Sequence, residues 1–153
     1  MELELIDLKA QYQSIKASVD RAVADVFSHG QFIRGPEVLA LEDILCDFVG
    51  CSFCITCANG TDALQLGLMA IGLETGDEVI TPAFSYVAAA EAIALLGATP
   101  VFIDIDPASY TIDVSRVESL ITERTKAIIP VSLFGQCAEM DKLSTLARKY
   151  GVT

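Results

Sequence analysis

Three cysteines fall at Cys51, Cys54 and Cys57 in the stretch GCSFCITCANGTDALQ, with the C-x-x-C-x-x-C spacing used by iron–sulfur and zinc knuckles. Thiolates at that spacing bind metal only if they converge on one point. Cys54 and Cys57 lie three apart in an apolar run, and in a strand residues an odd number apart face opposite ways. Cys51 adjoins Gly50, a helix-ending residue. Cys46 lies on the preceding helix, Cys137 is far along the chain, and the single histidine, His29, ends another helix. The sulfurs therefore read as small buried apolar groups, and no metal centre is expected. Behind them, Asn59-Gly60-Thr61 reads as a tight turn between a strand and a helix, with Thr61 as the helix cap. Unpaired N–H groups and the helix dipole at such a turn suit a phosphate, and ligands of open α/β sheets bind at this end of a parallel strand.

Asp104 and Asp106, in FIDID, invite an acid–base reading, but they stand at a strand exit before Pro107, where turn residues are ordinary. Asp77-Glu78 reads as a turn before a strand.

The elements that position these groups follow from periodicity. Helical spacing runs from Asp7 to Ser28 through Tyr12, Ile15, Val19, Val23, Val26 and Phe27, with Gly30 as the stop. After the loop Gln31 to Gly35, Pro36 suits the first turn of a second helix, which Gly50 closes. Strands are expected at Ser52 to Ala58, Glu78 to Thr81, Pro100 to Ile105 and Lys126 to Ser132. Helices are expected at Thr61 to Ile71, Ser85 to Leu96, Val114 to Thr122 and Ala138 to Tyr150. This alternation implies βαβ crossovers and a largely parallel sheet covered on both faces. The organisation expected is a helical segment, 1–50, followed by an α/β region, 51–153. Gly151-Val152-Thr153 reads as the opening of another strand, so the chain is expected to be the front part of a larger protein.

Bulk properties narrow the function. The 153 residues carry a net charge of -11. That charge opposes a nucleic-acid footprint and docking on anionic lipid. The beginning, Met1-Glu2-Leu3-Glu4-Leu5, has neither a basic nor an apolar leader segment, so a cytoplasmic protein is expected. Mean hydropathy is +0.49. The most apolar stretch, Pro82 to Ile105, holds Glu91, Gly97 and Pro100, which favour a buried helix and strand over a membrane span.

The segments GQFIRGPEV, CANGTDALQ, GDEVITPAFSYVAAAEAIALLGATPVFIDID and TKAIIPVSLFGQCAEMD follow one another in an order that resembles the DegT/DnrJ-type nucleotide-sugar aminotransferases. The resemblance covers nearly the whole chain. It is most similar to the enzymes that aminate UDP-2-acetamido-2-deoxy-3-oxo-glucuronate with glutamate for bacterial surface polysaccharides such as lipopolysaccharide O-antigen. It implies the three-layer α/β fold of aspartate aminotransferase, with a mostly parallel central sheet incomplete at the C-terminus of this chain. It also implies pyridoxal 5'-phosphate (PLP) as cofactor and a homodimer. By the resemblance, Gly60 and Thr61 match the turn that holds the cofactor phosphate and Tyr86 the aromatic on its pyridine ring. Ser132 stands where many members have histidine, at a cofactor-contacting strand end, and Gln31 and Gln136 fall where substrate contact is expected. No catalytic residue is expected in this chain: the family's Schiff-base lysine and the aspartate on the pyridinium nitrogen belong downstream, and Lys9, Lys16, Lys126, Lys142 and Lys149 are not placed to substitute. The chain alone is therefore expected to be inactive. The alternatives are an aminotransferase for a dTDP-linked keto-hexose and a non-catalytic regulatory homologue.

Overall fold

The computed structural model describes residues 6–153. Met1-Glu2-Leu3-Glu4-Leu5, read above for leader character, lies outside the described residues. The chain divides into two compact units, Met1–Thr56 and Cys57–Thr153.

The first unit contributes two helices, α1 (Leu8–His29) and α2 (Pro36–Val49). The Asp7 carboxylate accepts the Ala10 N–H at 2.9 Å and starts α1, and Gly30, at φ +70°, ends it. The apolar stripe expected on α1 forms, but no α1 residue is buried, and Ile15, Val23 and Phe27 stay exposed. The connection to α2 turns sharply, with Arg34 at φ +47°. A Cβ on Gly35 would collide with the Gln31 carbonyl oxygen, so this position accepts only glycine. Glu42, on α2, is 8% exposed. It accepts from the Thr56 N–H at 2.9 Å and the Thr56 hydroxyl at 2.8 Å, and pairs with the Arg34 guanidinium at 3.1 Å. The Thr56 donors, with Arg34 behind them, hold its carboxyl below the usual carboxylate range.

The expected strand Ser52 to Ala58 does not form: the segment enters no ladder, and Phe53 and Ile55 are 85% and 78% exposed. A strand is made by its neighbours, and among the described residues this run has no backbone partner.

The second unit is a three-stranded parallel sheet, β1 (Glu78–Pro82), β2 (Thr99–Ile103) and β3 (Thr125–Ile128), in spatial order β2-β1-β3. The helices are α3 (Gly60–Ala70), α4 (Ala88–Leu95), α5 (Val114–Val117) and α6 (Met140–Tyr150). Every residue of β1 is buried. Its side chains alternate, as strand geometry demands. Val79 joins Leu68, Ala92 and Ile93 of α3 and α4, whereas Ile80 joins Val114, Val117 and Leu143 of α5 and α6. Helices thus cover both faces, as the sequence pattern implies.

Element boundaries depart from expectation where the local chemistry requires it. The helix over Val114 to Thr122 breaks into α5 and a 3-10 turn, Glu118–Leu120. β3 stops at Ile128 rather than Ser132, just before Pro130, which has no N–H to donate to a ladder. β2 ends at Ile103, and Ile105 instead bridges antiparallel to Ile112 across a tight hairpin. α4 opens at Ala88 rather than Ser85, because residues 83–87 form the turn out of β1. Past α6, Thr153 exchanges backbone bonds with β3, accepting from Ile128 at 2.9 Å and donating to Lys126 at 3.1 Å.

Glu78 locks the amino edge of the sheet. It is 6% exposed, accepts the Thr122 hydroxyl at 2.6 Å, and pairs with Arg124, whose Nε donates at 2.9 Å. Thr122, then Arg124, hold its carboxyl below the usual range. A carboxyl lowered in the folded state stabilises the fold above its unfolded pKa, and that stability is lost as pH falls through the folded value. In thermal unfolding of the full-length protein, Glu78→Gln is expected to lower Tm at pH 7, with the gap to wild type closing below about pH 4. Ile80→Ala, which empties a fully buried position, is expected to cost about 3 kcal/mol at any pH in denaturant titrations.

Candidate functional site

The three strands are parallel, so their carboxyl ends and the loops that follow share one edge. α3 leads through a short loop into the start of β1, and α4 leads from the end of β1 back to the start of β2. Both helices run opposite to the strands, pack on each other, and bring their N-termini to that same carboxyl edge.

At the head of α3 the structure corrects one reading. Asn59, not Thr61, is the cap: its side-chain oxygen accepts the Asp62 N–H at 2.9 Å, and its backbone carbonyl accepts from Ala63 at 3.1 Å. Its amide nitrogen donates to the Asp62 carboxylate at 3.2 Å. Asn holds the extended backbone this position needs, at φ -165°, and reaches back to the third N–H, whereas Thr61 already has helical geometry. The N–H groups of Gly60 and Thr61 are left with no acceptor among the described residues. A Cβ placed on Gly60 would meet nothing within 4 Å, so the Gly60 side of this turn is open.

Tyr86 stands in the turn before α4 and is 75% exposed. Beneath it lies a cavity of about 280 Å³ between β1, β2 and the head of α4, lined by Thr81, Ser85, Tyr86, Ala89 and Phe102 among others. α4 has no side-chain cap, so its first N–H groups face the same edge. Ser132 follows β3 in an exposed turn, where its carbonyl accepts the Gly135 N–H at 2.9 Å.

The cofactor-type residues Gly60, Thr61, Tyr86 and Ser132 therefore gather at one edge. Gln136 follows β3 at the same edge. It lines a separate open groove of about 900 Å³, with Asp106, Asp113, Glu139 and Lys142 on its walls. Gln31 belongs to the other unit, where its N–H donates to His29 Nδ1 at 3.0 Å. Asp106 is occupied as a turn residue. Its carboxylate accepts the N–H groups of Ala108 and Ser109, each at 2.9 Å, which hold it below the usual carboxylate range.

The loops at the carboxyl edge, 58–61, 83–87, 104–113 and 129–139, contain neither Lys nor Arg. The donors these loops offer to an anion are neutral: the two N–H groups and helix dipole of α3, and the Thr61 hydroxyl. Among the described residues no group of His, Cys, Asp and Glu is arranged to hold a metal ion, and no helix is long and apolar enough to cross a membrane. The sequence reading missed Asn59 as cap, though an Asn three residues before Asp62 at a helix start is itself a capping signal. Asn59→Ala is expected to destabilise α3 by about 1 kcal/mol and to raise hydrogen exchange at Asp62 and Ala63.

Comparison with known proteins places the chain in a family. The chain is 59% identical, over 98% of its length, to the UDP-2-acetamido-2-deoxy-3-oxo-D-glucuronate aminotransferase of Pseudomonas aeruginosa, and covers 42% of that enzyme. Its fold superposes, with a TM-score of 0.95 and 41% identity, on a DegT DnrJ EryC1 StrS aminotransferase from Brucella abortus, covering 99% of this chain and 42% of that one. It also resembles a Bacillus subtilis protein solved with bound cofactor PMP, at a TM-score of 0.89 and 34% identity, covering 92% of this chain and 32% of that one. The chain thus spans less than half the length of the proteins it matches. The model of the DegT/DnrJ/EryC1/StrS aminotransferase family matches residues 13–153, and the chain belongs to that family.

Proposed function

We propose that this chain is part of a PLP-dependent aminotransferase that converts a UDP-linked 3-keto sugar of the 2-acetamido-2-deoxy-3-oxo-glucuronate type to the 3-amino sugar, with glutamate as donor. The observation that carries the substrate is the 59% identity to the Pseudomonas aeruginosa enzyme of that name. The observation that fits the cofactor is the pair of N–H groups at Gly60 and Thr61 that find no acceptor among the described residues. The reading places the enzyme in the cytoplasm, as a homodimer serving surface-polysaccharide synthesis.

When bound, PLP supplies an electron sink that stabilises negative charge at the carbon losing a proton. This chain's part is to hold and orient it. Gly60 and Thr61 would donate to the phosphate through neutral N–H groups that do not themselves titrate. Tyr86, on the exposed turn at the head of α4, would cover the pyridine ring and keep water from that face. Ser132 presents its hydroxyl from the end of β3. Gln31 and Gln136 are assigned to the sugar side.

The chain's own lysines do not serve as the covalent partner. Lys142 pairs with Glu139 at 2.6 Å and Lys149 with Glu118 at 2.5 Å, and Glu118 pushes the Lys149 ammonium above its ordinary range. A nucleophilic lysine needs the opposite shift. Lys16 is likewise raised by Asp20, and Lys126 lies in β3 with an exposed side chain.

The test is the full-length protein with PLP, glutamate and matched UDP- and dTDP-linked 3-keto sugars. Amination of the UDP sugar, at a kcat/KM at least tenfold above the dTDP sugar, is expected. No amino transfer to either sugar would overturn the enzyme reading, and preference for the dTDP sugar would overturn the substrate. Tyr86→Ala is expected to weaken PLP affinity roughly tenfold, about 1.4 kcal/mol, in equilibrium titration.

A further inference from the structure

Four helices of this chain end in the same way. A glycine with positive φ follows the helix, and the N–H one residue later reaches back to a carbonyl in the last turn. The bonds are Leu73 to Leu68 at 3.1 Å after α3, Ala98 to Ile93 at 3.3 Å after α4, Val152 to Ala147 at 3.0 Å after α6, and Cys51 to Cys46 at 3.1 Å after α2. This closure sets the two bonded residues' side chains against each other, which is why an apolar pair usually occupies them. Leu68 with Leu73, and Ile93 with Ala98, are buried members of one core cluster. At α2 alone the pair is two cysteines.

Gly50, at φ +75°, makes that turn, and its own N–H also donates to the Cys46 carbonyl at 2.8 Å. The backbone closure thus brings Cys46 and Cys51 together, with the Cys51 thiol beside that of Cys46, the arrangement a disulfide needs. The two thiols differ. Cys51 is exposed, and its thiol donates to the Phe53 carbonyl at 3.3 Å. Cys46 is half-buried. Burial first, then the neighbouring Cys51 and Cys54 thiols, push its thiol up, so it is the poorer primary target. Cys54 is half-buried and lies outside the closure; Cys57 and Cys137 belong to the other unit.

We propose that Cys46 and Cys51 are a reversible thiol–disulfide site at the end of α2, oxidised by peroxides. The Cys51 sulfur attacks a peroxide oxygen, the O–O bond breaks, and Cys51 becomes a sulfenic acid while hydrogen peroxide's other oxygen leaves as water. The Cys46 sulfur then attacks the Cys51 sulfur, the S–O bond breaks, and a second water leaves with the Cys46 proton. Two thiols lose two electrons and two protons, and one hydrogen peroxide becomes two waters. A thiol reductant reverses the reaction by exchange. The bridge locks the end of α2 to the start of the extended segment that Thr56 and Glu42 already tie to that helix.

The test treats the full-length protein with hydrogen peroxide, alkylates the remaining thiols, and digests with chymotrypsin without reduction. Cleavage after Phe48 and Phe53 separates Cys46, Cys51 and Cys54. The expected result is a loss of two free thiols per chain, recovered with dithiothreitol, and a linked pair of peptides carrying Cys46 and Cys51. That link is expected to persist in Cys54→Ala and Cys137→Ala. In Cys46→Ala, dimedone is expected to label Cys51, and in Cys51→Ala, Cys46 is expected to stay reduced. Linkage through Cys54, or a native Cys51 that remains fully alkylatable after peroxide, would overturn the proposal.

Discussion

The burial of β1 on both faces and both edges is the constraint on which the second unit rests. Val79 and Ile80 are wholly removed from water, and each faces a different pair of helices. A strand so enclosed can satisfy its backbone only through neighbours on either side, and both neighbours here run parallel to it. Parallel pairing needs a crossover for every return, so helices must lie over the faces and every outgoing loop must emerge at the same edge. The gathering of Gly60, Thr61, Tyr86 and Ser132 follows from that topology, not from any attraction among those residues.

The two ends of the sheet meet opposite electrostatic demands. At the amino edge a buried carboxylate, Glu78, is neutralised by Arg124 and the Thr122 hydroxyl, which ties β1 to the turn that starts β3. The carboxyl edge carries no basic side chain in a chain of net charge -11. What this chain offers there to a negative group is oriented backbone dipoles. Asn59 is central to this division of labour. By taking the Asp62 N–H it stabilises the helix start, and it leaves the Gly60 and Thr61 N–H groups without an acceptor among the described residues.

Much of this was legible in the sequence, because continuous apolar strands alternating with helices of ordinary length admit few architectures. The order of α3 to α6 and β1 to β3 came directly from periodicity, and the turn at Asn59-Gly60-Thr61 from its residue types. The failures share a cause. Ser52 to Ala58 has the composition of a buried strand, but strand formation depends on a partner that composition does not reveal. Thr61 and Asn59 are both good caps, and only the backbone conformation decides between them. The stripe on α1 is real, yet period alone does not say what will cover it. The cysteines read as small buried apolar groups, but Cys51 and Cys57 are exposed and Cys46 and Cys54 only half-buried, because the strand expected to bury them does not form. Folding instead pairs Cys51 with Cys46, five residues back across the end of a helix.

The central claim is that the head of α3 grips a phosphate with two backbone donors. The most direct measurement is a crystal structure of the full-length protein with PLP. The account predicts phosphate oxygens within hydrogen-bonding distance of the Gly60 and Thr61 nitrogens, with Asn59 still capping Asp62 and the Tyr86 ring over the pyridine. A phosphate held elsewhere, with those two N–H groups bonded only to water, would contradict it.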